Sequence, residues 1–185
     1  FSPLRDDALP PNSGALYIGG GYPELYAEAL SHNTVMRSAV RSAVLGGMPT
    51  VAECGGFQYL QQRLKDTNGV SFDMVGAIAS ESFPTGRLSR FGYVTLTAQQ
   101  DTLLCKKGEK IRAHEFHYWQ SSSPGEDFSA EKADRSREWK CGYSSETLYA
   151  GFPHLFLYSS PKAAERFVNR CAEFRRGRKA EEERS

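Results

Sequence analysis

The sequence predicts one α/β domain whose central β-sheet is mostly parallel and flanked by helices. Its length of 185 residues corresponds to a single domain at about 150 residues per domain. A short apolar strand, a glycine-rich turn and a helix follow one another twice in the first 64 residues. This repeating order is typical of parallel strands that are joined by helices. The middle of the chain is richer in strand-like segments.

The first strand–helix unit starts at ALYIGGG, a short apolar run that stops at Gly19–Gly21. Pro23 then stands at a favoured first helical position. Asn33 is predicted to cap a second helix, because its side-chain oxygen can accept a free amide N–H of the first turn. That helix is expected to end at Gly46–Gly47. Six of its residues are predicted to face the core: Val35, Met36, Ala39, Val40, Ala43 and Val44.

The second unit consists of the strand PTVAEC, two glycines and a helix predicted from Phe57 to about Leu64. Three strand-like segments follow, namely MVGAI, RFGYVTLTA and KIRAHEFHYW. Residues 121–140 are too polar to contribute much core, and they are predicted to form a loop. The segment LYAGFPHLFLY is expected to hold a short strand and a turn.

A last helix is predicted from Pro161. Its apolar face is expected to consist of Ala164, Phe167, Val168, Cys171 and Phe174. The domain is expected to cover residues 1–176, and residues 177–185 are expected to form a charged, flexible tail.

The composition excludes several classes of protein. Lys and Arg number 23 and Asp and Glu 22, so the formal charge of +1 argues against a nucleic acid as the partner. No apolar run approaches the roughly 18 to 20 residues that cross a bilayer, so no membrane association is expected. The four cysteines lie far apart without a CxxC pair, which predicts neither a metal site nor a disulfide framework. A reducing compartment, the cytoplasm, is therefore expected.

Cys54 is the most informative residue, because it lies where a short strand runs into Gly55 and Gly56 and then into a helix. This is the pattern of a nucleophile elbow, whose tight turn needs small neighbours. Amide N–H groups at the start of the helix would stabilise a thiolate there. The alternative is a buried packing cysteine beside glycines that allow close helix–strand contact, and the local pattern gives the two about even odds.

The glycine loop after the first strand is a second candidate. Gly19–Gly21 would let backbone N–H groups approach an oxyanion closely. A dinucleotide site is a weak alternative, since GGGYPE lacks the third glycine of GxGxxG, and a simple tight turn is at least as common. Because both turns follow parallel strands, the loop and Cys54 are expected at the same edge of the sheet.

A cysteine nucleophile needs a base, and the chain has four histidines, which are His32, His114, His117 and His154. On a strand Glu115 and His117 would share one face, and His114 would lie on the other, so the HxxH spacing is a poor metal pair. Each histidine is by itself more often structural than catalytic. Spacing alone does not choose among them.

Together these residues resemble the glutaminase domain of the cobyrinic acid a,c-diamide synthase family, a branch of the class I glutamine amidotransferases. The matching segments are FSPLRDDALP, LYIGGGYPELYAEAL, PTVAECGGFQYL, MVGAI, RFGYVTL, HEFHYW and AGFPHLF. The order of GGGYPELYA, AECGG and HEFHY is highly specific, and the resemblance covers nearly the whole chain up to the tail. Cobyric acid synthases, which would carry a different loop in place of GGGYPE, are the second choice.

The resemblance implies a flavodoxin-like α/β fold in which Cys54 attacks the side-chain amide of L-glutamine and releases ammonia. His154 matches the catalytic histidine of the family, and it would keep Cys54 as a thiolate and protonate the departing ammonia. Backbone N–H groups of Gly20 or Gly21, and of Gly55, would hold the oxyanion of the tetrahedral intermediate.

Three further residues are implied in substrate binding. Gln58 matches a glutamine-contacting position, with a helix-surface amide as the alternative. Glu115 and His117, within the HEFHY signature, would line the glutamine pocket or the path to a partner domain. Many class I enzymes also carry a Glu two residues beyond the histidine, but Phe156 stands there in this chain. No third triad residue is therefore visible, and a Cys–His dyad is expected.

The resemblance also implies a preceding synthetase domain that uses ATP and Mg²⁺ to activate the a and c carboxylates of a corrin precursor in cobalamin biosynthesis. Ammonia from glutamine would then displace the phosphate. No cofactor and no metal are expected in this chain itself. Its glutaminase domain is expected to lack a first strand and helix, which would leave the isolated chain poorly active. The sequence leaves the oligomeric state, monomer or homodimer, open.

Two other hypotheses compete with a glutaminase. A non-catalytic domain would keep the fold as an interaction surface for a synthetase. A different cysteine hydrolase would use the same turn for another substrate.

Overall fold

The structure, a computed structural model, describes residues 1–182 and Arg184. The strands are β1 (Leu16–Ile18), β2 (Thr50–Glu53), β3 (Gln61–Lys65), β4 (Ser71–Asp73), β5 (Ile78–Pro84), β6 (Arg90–Ala98), β7 (Lys110–His117), β8 (Trp119–Ser121), β9 (Phe128–Lys132), β10 (Glu138–Cys141), β11 (Tyr143–Ser144), β12 (Leu148–Gly151) and β13 (His154–Leu155). The α-helices are α1 (Ala27–His32), α2 (Thr34–Leu45), α3 (Gly55–Leu60) and α4 (Pro161–Glu182).

The central sheet has the strand order β1-β2-β12-β11. β2 pairs in parallel with β1 and with β12, and only β11 runs antiparallel. This confirms the predicted α/β class with a mostly parallel central sheet. All four residues of β2 are buried, because the strand has neighbours on both edges and packed layers on both faces.

Two other sheets surround the central one. A five-stranded antiparallel sheet has the order β10-β9-β6-β7-β13, and a four-stranded mixed sheet has the order β4-β3-β5-β8. The predicted loop at residues 121–140 is wrong, because it contains β9 and β10 of the five-stranded sheet. Phe128 and Ala130 of β9 are completely buried. The apolar–polar alternation of β9 covers only a few residues, so the polar composition of the whole segment conceals this strand pattern.

Two other predicted boundaries are wrong. The helix predicted from Phe57 to Leu64 ends at Leu60, because Gln61 turns to an extended conformation and starts β3. The MVGAI segment, residues 74–78, was predicted to be strand-like. Most of it connects β4, which ends at Asp73, to β5, which begins at Ile78. In both segments, pairing with a strand distant in sequence determines the structure more than local propensity does.

Helix α2 begins as predicted. The side chain of Asn33 accepts a hydrogen bond from the amide of Met36 at 3.1 Å. Met36, Val40 and Val44 are buried, whereas Val35 is 59% exposed and its predicted place in the core is wrong. The buried residues recur at every fourth position, so the face that packs is narrower than the predicted stripe.

The two faces of the central sheet pack against different layers. Ala52 and Ala150 face a core shared with α1, α2, α3 and the four-stranded sheet. Val51 and Tyr149 face the opposite core, which contains the five-stranded sheet and Ala163 of α4. This alternation along β2 and β12 follows from the two-residue period of a strand.

Helix α4 packs through a face that differs from the predicted one. Ala163, which was not predicted to pack, is completely buried, and Phe167 packs against the same core as predicted. Val168 is exposed, so its predicted burial is wrong. The helix continues through Glu182, and the domain boundary at residue 176 stays a prediction. Within the described residues, no helix combines the length and the apolar character that crossing a membrane requires.

We expect N33A to lower the free energy of unfolding by about 1–2 kcal/mol, because it removes the cap of α2. It also removes two hydrogen bonds of 2.9 Å from the side-chain amide to the carbonyls of Pro3 and Asp6. N33D keeps the cap acceptor and loses these donors, so a smaller loss is expected. Urea unfolding measures both, with S42A on the exposed face of α2 as the control. An unchanged midpoint in N33A would contradict this role of Asn33.

Candidate active site

Three chain segments meet at the carboxyl edge of the parallel strands. Gly19–Gly21 follow β1, Cys54 follows β2, and His154 comes three residues after the end of β12. The amide of Cys54 donates a hydrogen bond of 2.8 Å to the carbonyl of Gly151, the last residue of β12. The expected meeting of the glycine loop and Cys54 at one sheet edge is confirmed, and this edge is where open α/β sheets place their sites.

Cys54 occupies the sharp turn between β2 and α3. Its backbone has φ 50° and ψ −103°, a conformation that residues with a side chain rarely adopt. The glycines that follow allow very close packing. A Cβ on Gly56 would lie 2.1 Å from the carbonyl oxygen of Ile18, and one on Gly55 would lie 3.0 Å from the amide nitrogen of Gly21. The chain therefore has the strained turn and the small neighbours of a nucleophile elbow.

The imidazole of His154 lies against the glycine loop. A Cβ on Gly20 would be 2.5 Å from Cε1 of this ring, whereas a Cβ on Gly19 would meet nothing within 4 Å. Gly21 in turn approaches Gly55, the neighbour of Cys54. The predicted nucleophile, oxyanion glycines and base therefore form one continuous group around the glycine loop.

Burial raises the pKa of Cys54 to about 11. The side chain is only 8% exposed. A hydrogen bond from the amide of Gly55 lowers the pKa, but the nearby carboxylates of Glu24, Glu115 and Glu53 raise it. Burial and the nearby carboxylates thus favour the protonated thiol in the free site, and the expected thiolate stays a prediction.

Glu53 is a site residue that the sequence analysis missed. It is 6% exposed. Its Oε1 accepts a hydrogen bond of 2.8 Å from the amide of Leu155, and its Oε2 lies 3.8 Å from Nδ1 of His154. The sequence offered one signal, which is an acidic residue inside the otherwise uncharged strand PTVAEC. A buried carboxylate requires partners, and here they lie next to the candidate base.

The predicted substrate contacts lie deeper in the fold. Gln58 is only 3% exposed, so the alternative of a surface amide is wrong. Glu115 and His117 are both buried on one face of β7, as the strand period predicted. His114 is on the other face, where it pairs with His154 across β7 and β13.

The pKa values of His117 and Glu115 are both strongly shifted by burial. The ring of His117 stacks on Phe152 with centroids 4.0 Å apart, and its Nδ1 lies 2.6 Å from the carbonyl oxygen of Trp119. Burial lowers the pKa of His117 to about 4 and raises that of Glu115 to about 7, the latter against an opposing effect of Arg90. Nε2 of His117 and Oε2 of Glu115 are buried without a hydrogen-bond partner in the described structure.

A cleft of about 310 Å³ opens beside the glycine loop. Its lining includes Gly19–Gly21, Gly55, Gly56, Tyr26 and Tyr59. A larger cavity of about 720 Å³, between α2 and strands β3 to β5, shares no lining residue with it and is remote from this chemistry. The smaller cleft borders the glycine loop and the start of α3, but neither Cys54 nor His154 is among its lining residues. Within the described residues, no group of three or more His, Cys, Asp or Glu could hold a metal ion.

Comparison with known proteins identifies the family of the chain. Residues 1–162 match the family of the CobB/CobQ-like glutamine amidotransferase domain. The chain is 40% identical over 178 residues to a cobyrinate a,c-diamide synthase of Caldanaerobacter subterraneus, covering 95% of this chain and 39% of that protein. It is 39% identical to a cobyrinate a,c-diamide synthase of a Synechococcus species, covering 92% of this chain and 38% of that protein. The chain thus spans less than two fifths of these relatives.

A solved structure of a glutamine amidotransferase shares the fold. Its TM-score is 0.53 at 16% sequence identity, and the match covers 86% of this chain and 79% of that one. This likeness confirms the predicted type of α/β fold.

We expect alkylation of Cys54 by iodoacetamide, without any substrate, to accelerate about tenfold per pH unit from pH 7 to pH 9. The thiolate is the reacting form, and its fraction rises tenfold per unit well below a pKa of about 11. Peptide mass spectrometry separates Cys54 from Cys171, the partly exposed thiol on α4. A rate at Cys54 that levels off below pH 8 would mean that the thiolate is already formed.

Proposed function

Because the chain belongs to the CobB/CobQ-like glutamine amidotransferase family, we propose that it hydrolyses L-glutamine to glutamate and ammonia, with Cys54 as the nucleophile. One observation carries the proposal. The strained turn at Cys54, the glycine loop and the ring of His154 converge at a single sheet edge beside a cleft. This arrangement supplies a nucleophile, a base and backbone donors in one place.

In the first step, the thiol of Cys54 transfers its proton to His154 while sulfur attacks the amide carbon of glutamine. The carbonyl oxygen becomes an oxyanion, for which backbone N–H groups of Gly20 or Gly21, and of Gly55, are the proposed donors. The β1–β2 ladder ends at Ile18 and Ala52, so the loop glycines lie beyond it. The C–N bond then breaks, and ammonia leaves with the proton held by His154.

The second step releases glutamate from the thioester on Cys54. His154 takes a proton from water as the oxygen attacks the thioester carbon, and it returns that proton to sulfur as the C–S bond breaks. The raised pKa of Cys54 fits this scheme, because a thiol that is protonated at rest needs a base beside it at the moment of attack.

Gln58, Glu115 and His117 are the proposed glutamine-binding side chains. Gln58 stands one helical turn after Cys54 on α3, on the same side of the helix. The unpartnered Oε2 of Glu115 and Nε2 of His117 are polar groups that a bound amide or ammonium group could satisfy. The Coulombic influence of Glu115 on Cys54 and of His154 on His117 supports their proximity to the site.

The ammonia is proposed to serve an ATP-dependent synthetase that amidates the a and c carboxylates of cobyrinic or hydrogenobyrinic acid in cobalamin biosynthesis. The name of the relatives, cobyrinate a,c-diamide synthase, supports this substrate class. Since those proteins are more than twice as long as this chain, ATP and Mg²⁺ are proposed to bind in a part that this chain does not contain. The cytoplasm is the proposed location.

We expect C54A to abolish glutamine hydrolysis, with a loss of at least about 10³-fold in kcat, and H154A to lose about 10²- to 10⁴-fold. Glutamate release is measured in this chain and, where the chain is part of a longer protein, in that protein. C171A, which removes the thiol on α4, is the matched control and should behave as the parent. A glutamine-like chloroketone should label Cys54, and glutamine should protect it. Labelling of Cys105 or Cys141 instead would contradict the assignment.

We expect G20A to lower kcat by about 10²-fold, because a methyl group there would push the His154 ring by about 1 Å or more. G19A is the matched control, since its methyl group would point into open space. Thermal unfolding should change little in either variant. Equal activities of G20A and G19A would show that the ring does not work from this position.

A further inference from the structure

Glu53 is held in a fixed position beside the candidate base, although it belongs to the strand that carries the nucleophile. We infer that Glu53 is the positioning residue for His154. It would take the place of the acidic residue that is absent two positions beyond the histidine, where Phe156 stands. The inference rests on the proposed glutaminase activity, since it concerns the base of that reaction.

The carboxylate is fixed by contacts on separate strands. Glu53 is the last residue of β2 and pairs with Gly151 of β12. Its Oε1 accepts the amide of Leu155, the residue directly after His154. One carboxylate oxygen therefore fixes the backbone next to the histidine, and the other points toward Nδ1 of its ring at 3.8 Å. Burial of the side chain leaves little room for another rotamer.

A tyrosine completes the surroundings of the carboxylate. The hydroxyl of Tyr17, on β1, lies near enough to Glu53 for that carboxylate to affect its pKa. Burial first, and then the negative charge of Glu53, raise the pKa of Tyr17 well above its usual range. The ring of Phe167 on α4 packs edge-on against Tyr17, with centroids 6.5 Å apart. Strands β1, β2 and β13 thus all contribute to the place of one carboxylate.

This position defines what the carboxylate can do. A negative oxygen facing Nδ1 favours the ring tautomer with its proton on Nδ1, which leaves Nε2 free to accept a proton. It also stabilises the imidazolium that forms when the thiol of Cys54 loses its proton. The 3.8 Å separation is longer than a hydrogen bond, and catalytic contacts of this kind often shorten only when substrate is bound.

The alternative is a carboxylate that only holds the amide of Leu155 in place. E53Q separates the two roles, because glutamine keeps the size and the acceptor oxygen but loses the negative charge. E53D keeps the charge on a shorter side chain. E109Q is the control, since Glu109 pairs with Arg166 of α4 and has no place in the proposed reaction.

We expect E53Q to lower kcat for glutamine hydrolysis by about 10²- to 10⁴-fold with little change in KM. We expect E53D to lie between E53Q and the parent, and E109Q to match the parent. The ¹⁵N chemical shifts of the His154 ring should show the ring proton on Nδ1 in the parent. In E53Q they should show that the ring proton no longer prefers Nδ1. A purely structural role would not move this tautomer signal.

The outcomes separate this inference from the proposed function. If the parent shows no glutamine hydrolysis that depends on Cys54, the proposed function fails. If the parent hydrolyses glutamine and E53Q retains the parent kcat, the positioning role alone fails. Should E53Q not fold, the ring signal of the parent decides, because a His154 ring protonated on Nε2 at rest would overturn the inference.

Discussion

The strained backbone turn at Cys54 is the constraint on which the rest of the site depends. A turn of this kind costs on the order of 1–3 kcal/mol and persists only where its surroundings hold it. Here β12 holds it through the bond from the Cys54 amide to Gly151, and β1 holds it through the close contact of Gly56 with Ile18. These two strands also lead into His154 and the glycine loop. The packing that maintains the turn therefore sets the positions of its chemical partners.

Local signals predicted the parts of the fold that local interactions determine. Asn33 caps α2 because its oxygen lies within reach of an amide three residues later. Strand β9, by contrast, pairs with β6, whose paired residues lie 30 to 38 positions away in the chain. Gln61 likewise leaves the helical pattern because β5 offers it a parallel partner. Such pairings are tertiary, and no window of the sequence contains them.

The same distinction explains which site residues could be predicted. Cys54 and the loop glycines belong to short motifs that the sequence shows directly, whereas only the resemblance to the family selected His154 among the four histidines. Glu53 meets its partner Leu155 across 102 positions, through the register of β2 and β12. The resemblance to class I enzymes pointed to position 156 instead, where Phe156 is largely exposed. The carboxylate beside Nδ1 of His154 thus comes from Glu53 and not from position 156. The two positions are far apart in the sequence, but either could place an acidic group next to the ring.

Under the proposed reaction, the charges around Cys54 would keep the site quiet at rest and let it react once substrate is bound. A lone thiolate among Glu24, Glu53 and Glu115 is unfavourable, and burial adds to this cost, so the thiol stays protonated. Transfer of the proton to His154 changes the balance, because the new positive charge lies next to Glu53 and near the developing negative charge. Attack on an amide then moves that negative charge from sulfur to oxygen, toward the backbone donors of the glycine loop. In the proposed reaction, these carboxylates therefore oppose an isolated thiolate more than a proton transfer to His154 that is coupled to attack on substrate.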